Sequence, residues 1–257
     1  MVPATNQGEK HMRSRFVIAA AAAAGLLMST YAAVAAPAAR AELAAAIADA
    51  SRPQADKDRD AVRHPAELLA FTGVKRGDKV AELVPGGGYV TRLLAKVVGP
   101  TGHVYATNMP TLNERFKSGV NPIIADASYG NVSAVETPLA MMKFPEPVDI
   151  VFTSENYHDF QNMGMFQTDT AAMDKAAFAA LKPGGLYIIT DYVSAPGTGK
   201  TQTQSLHRID PAVIKQEVQA AGFQLVEESN AMMNPSDNLT GRSGQGSSQT
   251  MLKFRKP

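Results

Sequence analysis

Two groups of residues in this chain have the types and spacing to do chemistry. In the first, Glu82 precedes Gly86-Gly87-Gly88, and Thr91 follows. Val80 to Val84 reads as a short apolar strand, the three glycines as a turn without β-carbons, and Tyr89 to Ala95 as the start of a helix. Such a junction lets a nucleotide-like ligand lie against bare backbone N–H groups. The second group, Glu155-Asn156-Tyr157-His158-Asp159, follows the β-branched run Val148 to Thr153. An imidazole beside a carboxylate can move a proton, so His158 is the candidate base and Asp159 the residue that holds its ring. Asn156 or Tyr157 would orient an acceptor. Asp191, Tyr192, His207 and Arg208 could approach the same edge, with Arg208 either paired to Asp210 or gripping an anionic acceptor. A metal site made from His158, Asp159, Asp191 and His207 is chemically conceivable. Their spacing resembles no metal motif, however, and no metal is expected. Met163, Met165 and Phe166 read as core packing rather than a pocket lining.

The glycine turn has three possible readings. A dinucleotide fingerprint needs a third glycine for close helix packing, and Tyr89, Val90 and Thr91 leave it missing. A phosphate loop is suggested by Ser194 to Thr201, which differs from the usual pattern by serine at the first glycine. It should launch a firm helix, yet Gln202 to His207 is a poor one, so it reads as a flexible loop. The third reading, an S-adenosylmethionine site, depends on the order of the elements.

Those elements alternate. Strands are expected at 80–84, 103–107, 131–135, 148–153 and 186–191, separated by helical stretches at 90–98, 112–119 and 171–181. A last helix at 211–221 precedes candidate strands at 224–228 and 250–254. The fold class is therefore α/β: a doubly wound, mostly parallel seven-stranded sheet covered on both faces, with an antiparallel edge hairpin. Residues 234–248, rich in Gly, Ser and Asn, read as a long mobile loop. Upstream, residues 38–50 are helical and 51–60 form a polar connector or solvated helix start. His64-Pro65 marks a boundary. The domain reading is a signal peptide over 1–36, a helical extension over 37–62 and the main domain over 63–257.

Glu82, Gly86, Gly88 and Thr91 in this order resemble motif I of class I S-adenosylmethionine-dependent methyltransferases. Val148 to Phe152 is similar to that superfamily's fourth-strand motif, and Leu181 to Asp191 to its turn into strand five. Together with Leu206 to Asp210 and Phe254 to Pro257, the pattern further resembles a group of exported bacterial predicted methyltransferases. The resemblance implies a Rossmann-like methyltransferase fold and S-adenosyl-L-methionine as cofactor. It places the Gly86-Gly87-Gly88 turn against the methionine part, Glu82 at the cofactor's charged end and Asn108 at the ribose hydroxyls. It also implies methyl transfer to a small-molecule acceptor. Val84, Asn108 and Pro138 depart from the usual pattern. They motivate a second reading, a methyltransferase fold that has lost its cofactor and serves as a periplasmic binding or interaction protein.

The rest of the chain bears on where this happens. Lys10, Arg13 and Arg15 precede an apolar run from Phe16 to Met28, and Ala33-Val34-Ala35 offers a small-x-small cleavage site. These are the parts of a secretory signal peptide, and they imply a periplasmic or secreted protein with no membrane span once cleaved. Removing residues 1–36 leaves 22 basic against 23 acidic side chains, a net charge of −1 at pH 7. A near-neutral chain offers no electrostatic case for binding nucleic acid.

Overall fold

The computed structural model describes residues 37–257; the expected signal peptide lies outside the described residues. Seven strands form one sheet: β1 (Lys79–Leu83), β2 (His103–Asn108), β3 (Val132–Glu136), β4 (Val148–Ser154), β5 (Leu181–Tyr192), β6 (Gln224–Ser229) and β7 (Gln249–Arg255). Their order is β3-β2-β1-β4-β5-β7-β6. The first five pair in parallel, and β7 runs antiparallel between β5 and β6. This is the expected α/β architecture, edge hairpin included. The chain reverses direction across the sheet between β1 and β4. The carboxyl ends of those two strands therefore flank the crevice in which open α/β sheets bind ligands.

Alternation along the strands divides the core. Val80 packs with helices Pro37–Ala48, Pro65–Thr72 and Tyr89–Val98 on one face, while Ala81 and Leu83 pack with Thr170–Ala180 and Pro211–Ala220 on the other. Central strands buried on both sides account for the continuous apolar runs in the sequence. The edge strand β6 carries exposed Glu227 and Glu228, charges that discourage further strand pairing. Helix Pro65–Thr72 begins after His64 in a left-handed conformation and ends at Gly73, φ 70°.

Two segments differ from expectation. The polar run 51–60 is not a solvated connector: Arg52 and Asp56 are buried. Arg52 donates to both oxygens of Asp60 at 2.9 and 2.6 Å, and Arg92 donates to Asp56 at 2.9 Å. Composition alone suggests solvation here, but these charges are neutralised within the segment and by Arg92 from helix Tyr89–Val98. Residues 234–248 do form a long loop, yet it is tied down. Asp237 accepts two bonds from Arg208, at 2.9 and 3.0 Å, and one from the Ser248 N–H at 2.7 Å.

Candidate cofactor cleft and histidine cluster

The end of β1 curls sharply. Val84 takes φ 53° and Gly86 takes φ 55°, with Gly88 at φ 75° capping helix Tyr89–Val98. A β-branched residue in the left-handed region is strained by roughly 1–3 kcal/mol. Val84 therefore adopts the conformation that a glycine would supply at no cost. Its N–H is held by the Thr107 carbonyl at 2.8 Å. Glu155, at the end of β4, takes φ 60° and is held likewise by the Thr190 carbonyl at 2.8 Å.

Three polar atoms around this turn are buried without a hydrogen-bond partner: Glu82 Oε2, Thr91 Oγ1 and Asn108 Oδ1. Buried polar groups are almost always paired, so three orphans at one strand edge mark a place where a ligand's donors fit. Burial pushes the Glu82 carboxyl up to about 7, against the opposing pull of the nearby Thr91 hydroxyl and the charges of Arg63 and Arg92. A cavity of about 180 Å³ is lined by Glu82, Gly86, Gly87, Tyr89, Arg59 and Arg63, with Ser154, Glu155 and Asn156 from the end of β4. A second, of about 220 Å³, is lined by Asn108, Lys117, Val120 and Glu136. Between them Gly119 presses on the glycine turn, so closely that a β-carbon there would lie 2.0 Å from the Gly86 carbonyl oxygen. The Lys117 carbonyl also accepts from Asn108 at 3.4 Å.

The sequence-derived cofactor residues Glu82, Gly86, Gly87, Gly88, Thr91 and Asn108 thus gather on one edge. Arg59 and Arg63, which roof the first cavity, were not legible as site residues. They stack over the Tyr89 ring at 5.1 and 4.7 Å, and Arg63 pairs with Glu155 at 3.1 Å. Only their spacing of four hinted at a shared face.

The Glu155 to Asp159 group divides. Asn156 borders the first cavity and donates to the Val84 and Ser154 carbonyls at 3.1 and 2.8 Å, which ties the ends of β1 and β4 together. Tyr157 points away from the cleft. Fully buried, its hydroxyl sits 2.9 Å from both Asp174 and Glu217, so the role of orienting an acceptor is corrected to a structural one. Nor does His158 line either cavity. Its backbone N–H and Nδ1 both meet Asp191, each at 2.7 Å, and its Nε2 faces Asp159 and His207. Burial alone would lower its pKa, but the Asp191 charge and the bonds to Asp159 and Asp191 outweigh burial and raise it to about 10. The ring lies outside both cavities, so the structure does not bring His158 to the place where an acceptor would lie. Asp159 does contact the His158 ring, as expected, while Asp191 fixes its orientation.

Both expectations for Arg208 are corrected as well. It pairs neither with Asp210, which caps helix Pro211–Ala220, nor with a pocket, because it is buried against Asp237. Met163 is exposed rather than packed in the core, and Phe166 meets Phe116 edge-on. The glycine-containing loop 194–201 leads only into the four-residue helix Thr203–Leu206, and Lys200 pairs with Glu217.

No family model matches the chain. Its sequence is 25% identical over 127 residues to the ubiquinone/menaquinone biosynthesis C-methyltransferase of Pseudomonas aeruginosa, covering 48% of this chain and 45% of that enzyme. The enzyme of the same name from Photorhabdus laumondii is 27% identical over 176 residues, 65% of each protein. The chain thus spans about half the length of most of the curated relatives it matches. Among solved structures, an S-adenosylmethionine-dependent methyltransferase from Aquifex aeolicus superposes with a TM-score of 0.58 at 17% identity, over 80% of this chain and 99% of that one. This is a Rossmann-like methyltransferase fold. A second S-adenosylmethionine-dependent methyltransferase, from Mesorhizobium loti, gives 0.54 at 16% identity, over 76% of this chain and 99% of that one.

Proposed function

We propose that this methyltransferase-like chain transfers a methyl group from S-adenosylmethionine to a small-molecule acceptor, as an exported protein. The observation that carries this reading is the set of orphaned atoms, Glu82 Oε2 and Asn108 Oδ1, on adjacent strands beside the glycine turn. They call for a ligand that brings donors to both places. An ammonium suits Glu82, and ribose hydroxyls suit Asn108. Arg59 and Arg63 supply positive charge for a carboxylate in the same cavity. The backbone of Gly86 to Gly88 allows close approach without β-carbons.

S-adenosylmethionine supplies an activated methyl group, so the protein's task is to align the acceptor and exclude water. Ser154, Glu155 and Asn156 border the cavity where that alignment would occur. Each cavity falls below the roughly 300 Å³ at which ligand pockets begin. Binding a nucleoside-sized cofactor therefore requires residues 117–120 to lift from Gly86 and join the two. The left-handed Val84 reproduces what a glycine would do, which removes one ground for regarding the site as lost. Export rests on the basic, apolar and small-x-small sequence of residues 1–36. A small acceptor rests on the near-neutral charge, which favours no polyanion.

Calorimetric titration of the purified protein with S-adenosylmethionine and with S-adenosylhomocysteine tests this. One site per chain is expected for each; no heat from either at millimolar ligand would remove the methyltransferase reading.

A further inference from the structure

His158, Asp159 and His207 come together in a way that neither the cleft nor the fold explains. His158 Nε2 lies 3.2 Å from His207 Nδ1 and 3.3 Å from Asp159 Oδ1, and His207 Nδ1 lies 3.0 Å from the same Asp159 oxygen. Three ligand-type atoms form a nearly equilateral triangle. Hydrogen bonding explains this poorly, because each ring nitrogen offers one proton or one lone pair and the triangle has three sides. A metal ion explains it well. Donors at about 2.0–2.2 Å from one ion stand about 3.3–3.6 Å apart in a tetrahedral arrangement and about 2.8–3.1 Å apart in an octahedral one.

We propose that His158, Asp159 and His207 form a site for a divalent transition-metal ion of the zinc class. Two imidazoles and one carboxylate are a recurring set for such ions and leave positions open for water or another oxygen ligand. The surroundings have the form of an outer shell. Asp191 takes the far nitrogen of His158 at 2.7 Å, a carboxylate–histidine arrangement that fixes ring orientation. Asn162 donates to Asp159 Oδ1 at 2.9 Å and to the Thr203 carbonyl at 3.2 Å, joining the short helix Tyr157–Phe160 to the helix Thr203–Leu206 that precedes His207. Access is from the His207 side, where that side chain is 25% exposed and His158 only 2%. Two groups oppose loading: His158 must give up its Nε2 proton to ligate a metal, and Arg242 Nη2 sits 2.6 Å from His207 Nε2. Neutral His207 bound to metal through Nδ1 carries its proton on Nε2, so the exposed Arg242 must swing away. This proposal does not rest on the methyltransferase reading.

The test uses the purified protein, stripped with a chelator and titrated with Zn2+ and, separately, Co2+. Retained metal is counted by elemental analysis, and the cobalt optical spectrum reports its coordination. One ion per chain is expected, with a spectrum of mixed nitrogen and oxygen ligation. His207→Asn is the least disruptive variant, because residue 207 has φ 51° and asparagine accepts that backbone. It should weaken binding by about 100-fold or more, as should Asp159→Asn. Asp191→Asn should cost about 10–100-fold through ring orientation, and Arg242→Ala should tighten binding. His64→Asn, at another left-handed histidine outside the cluster, should change nothing. The proposal is overturned if neither ion binds below millimolar concentration, or if His207→Asn and Asp159→Asn, folded by circular dichroism, retain metal as the unaltered protein does.

Discussion

The two ends of the same sheet edge treat polar atoms in opposite ways. Around β1 and β2, the Glu82, Thr91 and Asn108 atoms are buried and unpartnered. Beyond β4 and β5, His158, Asp159, Asp191 and His207 make more short contacts than their protons and lone pairs comfortably serve. Unmet hydrogen-bonding capacity costs stability unless something fills it, whereas a crowded, paired network holds the fold together. The first region is thus prepared for a donor-bearing ligand and the second for a cation. Substitutions should separate the two, with stability lost at one end and binding lost at the other.

The largest effect is expected at the crowded end. Arg208, buried and paired to Asp237 through both terminal guanidinium nitrogens, holds the 234–248 loop there. Arg208→Ala leaves the half-buried Asp237 carboxylate with only the Ser248 and Leu239 N–H groups and empties a buried side-chain site, so unfolding free energy should fall by about 1–3 kcal/mol. Affinity for S-adenosylhomocysteine should stay within about threefold, as measured by urea denaturation and calorimetry on the same sample. A large loss of affinity without loss of stability would place Arg208 in the ligand site after all. At the open end, Gly119→Ala should disfavour the seated arrangement of residues 117–120 and so tighten S-adenosylhomocysteine binding by up to about tenfold. Its β-carbon collides with the Gly86 carbonyl, and hydrogen exchange over residues 84–90 would report it.

A subtler effect is the pH dependence of binding. Glu82 titrates at about 7, and only its carboxylate form pairs with an ammonium. Affinity for S-adenosylhomocysteine should therefore rise about tenfold from pH 6 to pH 8, with protons released on binding. A flat profile would mean that the ligand leaves Glu82 untouched. Smallest of all should be Val84→Gly. It relieves the strain at φ 53° but loses a buried side chain, so stability should move by less than about 1 kcal/mol and binding hardly at all.

What the sequence reveals follows the range of the interactions. The strand–glycine–helix junction was legible because its signals are local: an apolar run, three consecutive glycines and a helix start. The seven strands were legible for the same reason. Long-range pairing was not. Arg208 lies two residues from Asp210 yet binds Asp237, and His158 meets His207 across 49 residues of sequence. Arg59 and Arg63 belong to a stretch whose composition reads as solvated, and only folding brings them over Tyr89. Tyr157 was misassigned because position after a strand says nothing about which way a side chain turns.

The claim that the open end of the sheet is built around a ligand is tested most directly at Glu82. Its folded pKa is raised, so the stability it contributes is complete below its unfolded value near 4.5 and is lost as pH rises through about 7. Asp174, also raised by burial to about 7, gives a similar decline that the substitution leaves in place. The measurement is thermal unfolding of the unaltered protein and of Glu82→Gln at pH 8, with and without S-adenosylhomocysteine. The variant alone should be the more stable, by on the order of 2 kcal/mol, and ligand should stabilise only the unaltered protein. A variant that is less stable, or one that ligand still protects, would contradict a cofactor seat at Glu82.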